Sequence, residues 1–227
     1  MNETRLSSLL SANAGYVDTA GFLALHGLFT AHVTGNFVTL GAALAFGASG
    51  IAAKLLALPV FCLVIALVRL AGAALASRGG PVLPALLGTK VLLLALGGLL
   101  AVVFGRFPEG DGWPGILTGM VLVAAMAVQN GVHRIHLGTM PPTTLMTGST
   151  TQIVIDAVDL LRGLPGDKAA ATRARIRKLG NSVLSFAAGC AAAALLFYLI
   201  GNWCFLLPPL IGAAAARIAI ADQPAAP

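Results

Sequence analysis

The sequence predicts an all-α integral membrane protein, a polytopic helical bundle of two internal repeats with about six to eight membrane segments. Three observations predict it. Hydrophobic residues make up 58% of the 227-residue chain and charged residues 10%, with a mean hydropathy of +0.91. A soluble domain carries about 25% charged residues, so this chain lacks the polar surface that water demands. Eight apolar segments recur, several long enough for a span of roughly 20 residues. Finally, Thr30-Ala-His-Val-Thr-Gly-Asn-Phe-Val-Thr39 and Thr143-Thr-Leu-Met-Thr-Gly-Ser-Thr-Thr-Gln152 say nearly the same thing.

The segments run approximately 8–27, 34–50, 54–77, 82–104, 114–134, 144–162, 176–200 and 203–221. Turn chemistry or charge separates them: Arg78-Gly79-Gly80-Pro81, Phe107-Pro108-Glu109-Gly110-Asp111-Gly112 and Gly163-Leu164-Pro165-Gly166-Asp167. Segments 54–77 and 82–104 read as a helical hairpin, as do 176–200 and 203–221. Residues 6–10 are too short for the apolar core of a secretory leader, so the first segment stays in the mature chain. Trp113, Tyr198 and Trp203 stand near segment ends, where interfacial aromatics anchor spans.

The chain divides into two four-segment halves, residues 1–105 and 106–227, within a single membrane domain. An even number of spans per half relates the copies by an axis along the membrane normal; an odd number inverts them. The short second and sixth segments have polar starts and read either as full spans or as partial spans beginning inside the bilayer. On the eight-span count, residues 1–7, Lys54, Arg106, the 162–178 loop and the C-terminus share one side, and Arg78 and the Arg134/His136 turn lie on the other. Arg162, Lys168, Arg173, Arg175, Arg177 and Lys178 fall in one loop. Such a loop stays in the cytoplasm, which puts both termini there.

The net charge of +6 does not point to nucleic acid, because no aromatic or groove-reading pattern accompanies the basic loop; the lipid surface is its partner. Cys62, Cys190 and Cys204 are widely spaced in apolar runs and read as buried small hydrophobes. Catalytic signatures, cofactor fingerprints and metal-type spacings are absent, so the chain reads as a non-enzyme without a cofactor.

The polar residues inside the apolar segments carry the functional reading. Each repeat sets a Thr-Gly-polar step at a helix start: Thr34-Gly35-Asn36 and Thr147-Gly148-Ser149. Each step follows a helix with a polar pair, Asp18-Thr19 in the first half and Gln129-Asn130 in the second. Free N–H groups at a helix start attract negative charge, the Thr hydroxyl can cap them, and the Gly admits close approach. The rival reading is that the small residues serve only helix packing.

Asp18 is the only acidic residue in the first three segments. An ionisable group at depth costs about 2.5–3.5 kcal/mol on insertion scales and is a functional candidate by default; here the candidate role is proton coupling, against a structural hydrogen bond to Thr19, Tyr16 or the opposite repeat. Tyr16, Thr19, Arg69 and Lys90 are candidate cavity-lining residues, with snorkelling the alternative for the two cations. Asp156 and Asp159 suit interfacial ion pairs with the basic loop. All four histidines, His26, His32, His133 and His136, fall in the two equivalent junctions; they suit polar membrane-edge turns better than a proton relay or a metal site.

The run Ala14-Gly15-Tyr16-Val17-Asp18-Thr19-Ala20-Gly21-Phe22-Leu23, with Phe29 and Thr34-Gly35-Asn36-Phe37-Val38-Thr39-Leu40-Gly41, resembles the YoaK-like family of bacterial membrane proteins. Gln129-Asn130 and Thr147-Gly148-Ser149-Thr150-Thr151-Gln152 resemble that family's second conserved block. The similarity spans most of the chain and implies a multispanning bacterial inner-membrane protein of no assigned substrate. Thr19 departs from the family, where an alanine is usual, and adds a hydroxyl beside Asp18.

The leading expectation is a secondary transporter of a small polar, anionic or zwitterionic solute, proton-coupled through Asp18. Its site lies between the two Thr-Gly helix starts. The alternative is a non-transporting membrane scaffold or sensor subunit. Gly115 and Gly119, four residues apart, allow tight packing or a homodimer under either reading.

Overall fold

Eight α-helices fall into two length classes in the computed structural model, which describes residues 2–221. Long helices are α1 (Asn2–Ala24), α3 (Ile51–Ala76), α4 (Val82–Phe104), α5 (Trp113–His136) and α7 (Gly166–Ile200). Short ones are α2 (Asn36–Phe46), α6 (Met146–Leu161) and α8 (Leu207–Ala221), of which α8 continues from a 3₁₀ turn at Gly201–Leu206. With no strand among the described residues and several helices long and apolar enough to cross a bilayer, the chain is a helical membrane bundle. At 1.5 Å per residue, α7's 35 residues measure about 52 Å, well beyond the roughly 30 Å hydrocarbon core. Its polar first third therefore projects from one end of the bundle.

The loops define those ends. At the first end, His26 Nε2 pairs with the Phe107 carbonyl at 2.8 Å. There Asp111 accepts the N–H groups of Gly50 and Ala52 at 3.2 and 2.7 Å. The Asn202 side-chain amide donates to the Ala101 and Gly105 carbonyls at the same end. At the other end, Glu3 lies 3.9 Å from Lys178, and Pro141 closes a small hollow with Thr4 and Ser7. α1, α4 and α7 thus run towards the Phe107 end, and α3, α5 and α8 run away from it.

α2 does not cross. The chain leaves α1, turns through His26 (φ 53°) and Gly27 (φ 79°), and doubles back into the bundle before α2 begins. The ring of His32 meets Phe186 edge-on with centroids 5.2 Å apart. Phe186 lies 14 residues from the end of α7, so α2 starts about 21 Å down the bundle and returns to the end that α1 reached. α6 does the same from the opposite end, starting beside the middle of α7 and running out along its projecting turns.

This corrects the eight-span reading of the charges. Because α2 and α6 do not cross, Arg78 and Arg134 share an end with residues 3–7 and the 162–178 segment, which from Gly166 is the start of α7 rather than the expected loop, while Lys54 and Arg106 lie at the opposite end with Glu109 and Asp111. The basic residues divide as unevenly as on the eight-span count, but Glu109 and Asp111 now offset the two at the less basic end. Trp113, Tyr198 and Trp203 all lie exposed at the Phe107 end, with Trp113 edge-on to Phe104 at 5.0 Å.

The two expected hairpins also pack differently. α4 lies chiefly against α5 and α8 rather than its expected hairpin partner α3, and α8 against α4 and α1 rather than α7. The largest interface joins α1 to α7. There Gly15 faces the Phe186 carbonyl and Gly189 faces the Ala12 carbonyl so closely that a Cβ at either would clash. Removing side chains lets the helices meet by dispersion contact, the main attraction available where lipid is as apolar as the helix. α5 packs on α3 in the corresponding way, with Gly131 against Val68. α2 lies on α3, and α6 on α7.

Candidate functional site

Where α1 stops and the chain doubles back, backbone N–H groups lose their helical partners inside the bundle. Such groups must be satisfied internally. Asp18 does this. Its Oδ1 accepts the N–H of Thr30 at 2.7 Å and of Ala31 at 2.8 Å, with the Thr30 hydroxyl at 3.4 Å. Its Oδ2 stands 2.6 Å from His32 Nδ1. The carboxylate is buried, while a third of the His32 side chain is exposed. Asn36 closes the same loop, donating from Nδ2 to the Phe29 carbonyl and accepting the Phe29 N–H, both at 2.8 Å.

The second break is held by neutral groups in the same register. The Thr144 hydroxyl donates to Asn130 Oδ1 at 2.7 Å. Gln129 Nε2 donates to Thr143 Oγ1 at 3.1 Å and to the Leu10 carbonyl at 2.9 Å. In each half the helix residue pairs with a loop residue 14 positions later: Asp18 with His32, Asn130 with Thr144. The Thr144 backbone lies against the His32 ring, so the two breaks meet near the bundle centre.

A groove of about 510 Å³ opens at the first break, lined by Asp18, Thr19, Phe22, Phe29, His32, Gly35, Phe186 and Cys190. Its walls are aromatic, and its floor carries the Asp18–His32 pair. Thr19 and Gly35 are the other sequence-predicted residues that reach it. Gly148 and Ser149 line a separate groove of about 370 Å³ with Pro142, Gln152, Arg175 and Leu179. The two Thr-Gly steps therefore do not line one groove.

Neither Thr hydroxyl caps its helix: α2 starts from Gly35 and α6 from Leu145, each without a side-chain cap bond. Thr34 and Thr147 are exposed, and the Ser149 hydroxyl bonds its own helix at the Leu145 carbonyl, 3.2 Å away. Tyr16 is buried, its hydroxyl donating to the Cys204 carbonyl at 2.9 Å, which ties α1 to the 3₁₀ turn instead of lining a cavity. Arg69 is exposed on α3, whereas Lys90 is fully buried.

Outside the grooves, Asp156 forms a two-point ion pair with Arg175, both N–O distances 2.7 Å, and accepts from Gln152 at 2.7 Å. This clamps α6 to the projecting part of α7, the interfacial pairing that sequence favours. His26 and His133 bond loop carbonyls, at Phe107 and Pro141. Among the described residues no three metal-binding side chains converge.

Sequence reasoning passed over His32, Thr143 and Thr144 as site residues, together with Phe22, Phe29, Phe186 and Cys190. The 14-residue spacing from Asp18 and Asn130 was a usable signal for His32 and Thr144. Phe186 and Cys190 carry no such mark, because only the α1–α7 packing brings them there.

No curated protein and no solved structure matches the chain. A family model does, over residues 6–218, and it is described as a protein of unknown function, DUF1275. YoaK-like proteins fall within that family, in keeping with the resemblance carried by the Asp18 and Thr-Gly blocks. The match covers nearly the whole bundle, both helix breaks included, and the chain belongs to the DUF1275 family.

Proposed function

We propose that the chain is a proton-coupled secondary carrier of a small solute, built from two inverted repeats, residues 1–105 and 106–227, in the bacterial inner membrane. The observation that carries this reading is the pair of broken helices meeting at the bundle centre, each break pinned by a polar pair at 14-residue spacing. Carriers commonly bind substrate at discontinuous helices where inverted repeats meet. The repeat reading draws support from reciprocal packing: α1 on α7 answers α5 on α3, and α8 on α1 answers α4 on α5. Three crossings per half, with α2 and α6 as partial spans, give the odd count that inverts the copies.

The basic end, with Arg5, Arg78, Arg134, Arg162 and the projecting start of α7, faces the cytoplasm by the positive-inside rule, and with it the start of α1 and the end of α8, the C-terminus itself lying outside the described residues. The substrate site is the groove at Asp18 and His32 rather than a cleft between the Thr-Gly steps. Three phenylalanines around one carboxylate–imidazole pair suit an apolar body with a zwitterionic or cationic head. A second carboxylate held against Asp18 alone would be repelled. Uptake of a proton by His32 from the groove and its later release there is the coupling step: the imidazole reaches the groove, and the buried Asp18 carboxylate holds its Nδ1 side.

A thermal-shift screen of small solutes against the purified protein, followed by counterflow in proteoliposomes, tests this. A stabilising compound should exchange across the vesicle and move protons with it. His32→Gln should retain folding but uncouple the proton. Compounds that stabilise the folded protein yet never exchange would favour the scaffold or sensor reading.

A further inference from the structure

A polar layer crosses the core of the bundle, away from the groove. Lys90 and Asn13 are fully buried and Gln129 nearly so. Lys90 lies between Leu87 and Leu94 on α4, Asn13 between Leu10 and Ala14 on α1, and Gln129 between Val128 and Val132 on α5. Leu10, Leu87, Val128 and Val132 belong to the apolar cluster at the basic end; Ala14 and Leu94 belong to the one at the Phe107 end.

Helix register brings the three together. Gly97 on α4 meets Leu122 on α5, where a Cβ would come within 2.6 Å of the leucine side chain. The helices are antiparallel, so seven residues along each, two turns on the same face, set Lys90 opposite Gln129. Gly212 on α8 is ringed by Leu94, Val91 and the Asn13 amide at 3.3–3.4 Å from its Cβ position. Asn13 therefore sits beside the turn of α4 that carries Lys90.

Among the described residues, Lys90 Nζ, both polar atoms of the Asn13 amide and Gln129 Oε1 have no hydrogen-bond partner. A buried lysine either sheds its proton or takes a counter-charge. The helices packed on α4 supply none. α3 and α5 have no carboxylate, and the only charged residue described on α8 is the exposed Arg217; on α1, which reaches the layer through Asn13, Glu3 is exposed and Asp18 is committed to His32 and the Thr30–Ala31 backbone.

We infer that this layer is a binding site for a compact inorganic anion of the halide class, with Lys90 as counter-charge and the Asn13 amide as second donor. In the bound form the remaining Lys90 N–H groups meet the Gln129 and Asn13 carbonyls. The leucines and valines above and below limit the site to a small anion and strengthen its pairing by excluding water. This site is separate from the groove, and its occupancy does not depend on transport.

The test uses purified full-length protein in detergent at constant ionic strength, with sodium chloride or bromide exchanged for gluconate. The wild type should show a saturable rise in Tm of about 5 °C at a hundredfold excess over the dissociation constant, and bromide should give an anomalous diffraction peak beside Lys90. Lys90→Met should lose the dependence on anion. If that variant does not fold, Asn13→Leu carries the comparison and should weaken the dependence at least tenfold in midpoint concentration. An identical Tm in gluconate and chloride, as for a layer filled by water alone, overturns the assignment. So does equal anion dependence in wild type and variant.

Discussion

His32 Nδ1 lies 2.6 Å from Asp18 Oδ2, and this contact joins the descending arm of the re-entrant loop to the helix it has just left. The same carboxylate takes the Thr30 and Ala31 N–H groups on its other oxygen. Asp18 thus has two separable duties: Oδ1 replaces the helical acceptors that the break removes, and Oδ2 faces the imidazole that lines the groove.

The two duties respond differently to substitution. Asp18→Ala leaves two buried N–H groups without an acceptor and should destabilise the protein by about 2–4 kcal/mol. Asp18→Asn keeps an acceptor oxygen for the loop and should cost clearly less, while removing the charge opposite His32. Unfolding curves of the two variants in mild detergent give the comparison. Equal losses would mean that charge, rather than the N–H acceptor, holds the break.

The α1–α7 crossing depends on the absence of two side chains. Gly189→Ala sets a methyl group against the Ala12 carbonyl and should destabilise by about 1–3 kcal/mol, because neither backbone can give way without moving a helix. Gly180 lies on the same helix with nothing near its Cβ position. Gly180→Ala should stabilise by about 0.5–1 kcal/mol through helix propensity alone. Thermal denaturation of the pair separates close packing from propensity; opposite signs are expected.

Sidedness follows from the partial helices. In a cysteine-free background, single cysteines at positions 78 and 170 should be labelled from one side of the membrane and a cysteine at 109 from the other. A full crossing by α6 would move position 78 opposite to 170. An impermeant thiol reagent applied to intact cells and to inverted vesicles distinguishes the two arrangements.

Composition alone determined that this chain lives in a bilayer, since 58% hydrophobic and 10% charged residues leave no water-soluble alternative. Turn chemistry placed most helix boundaries within a few residues. The duplicated Thr-Gly blocks marked the two breaks, and the isolation of Asp18 among apolar segments singled it out. Local sequence could not decide whether α2 and α6 cross, because an 11-residue apolar helix reads like part of a longer span until its start is located against another helix. Depth is a relation between elements. The contact of His32 with Phe186, 154 positions later in the chain, fixed it, and with it the ends at which Lys54, Arg78 and Arg106 lie. Tertiary packing alone also turned Tyr16 into a structural group by using up its hydroxyl, put Phe186 into the groove wall, and buried Lys90 where snorkelling was the rival expectation. In lipid every polar group must find its partner within the protein, so the role of each one is set by what the fold brings beside it.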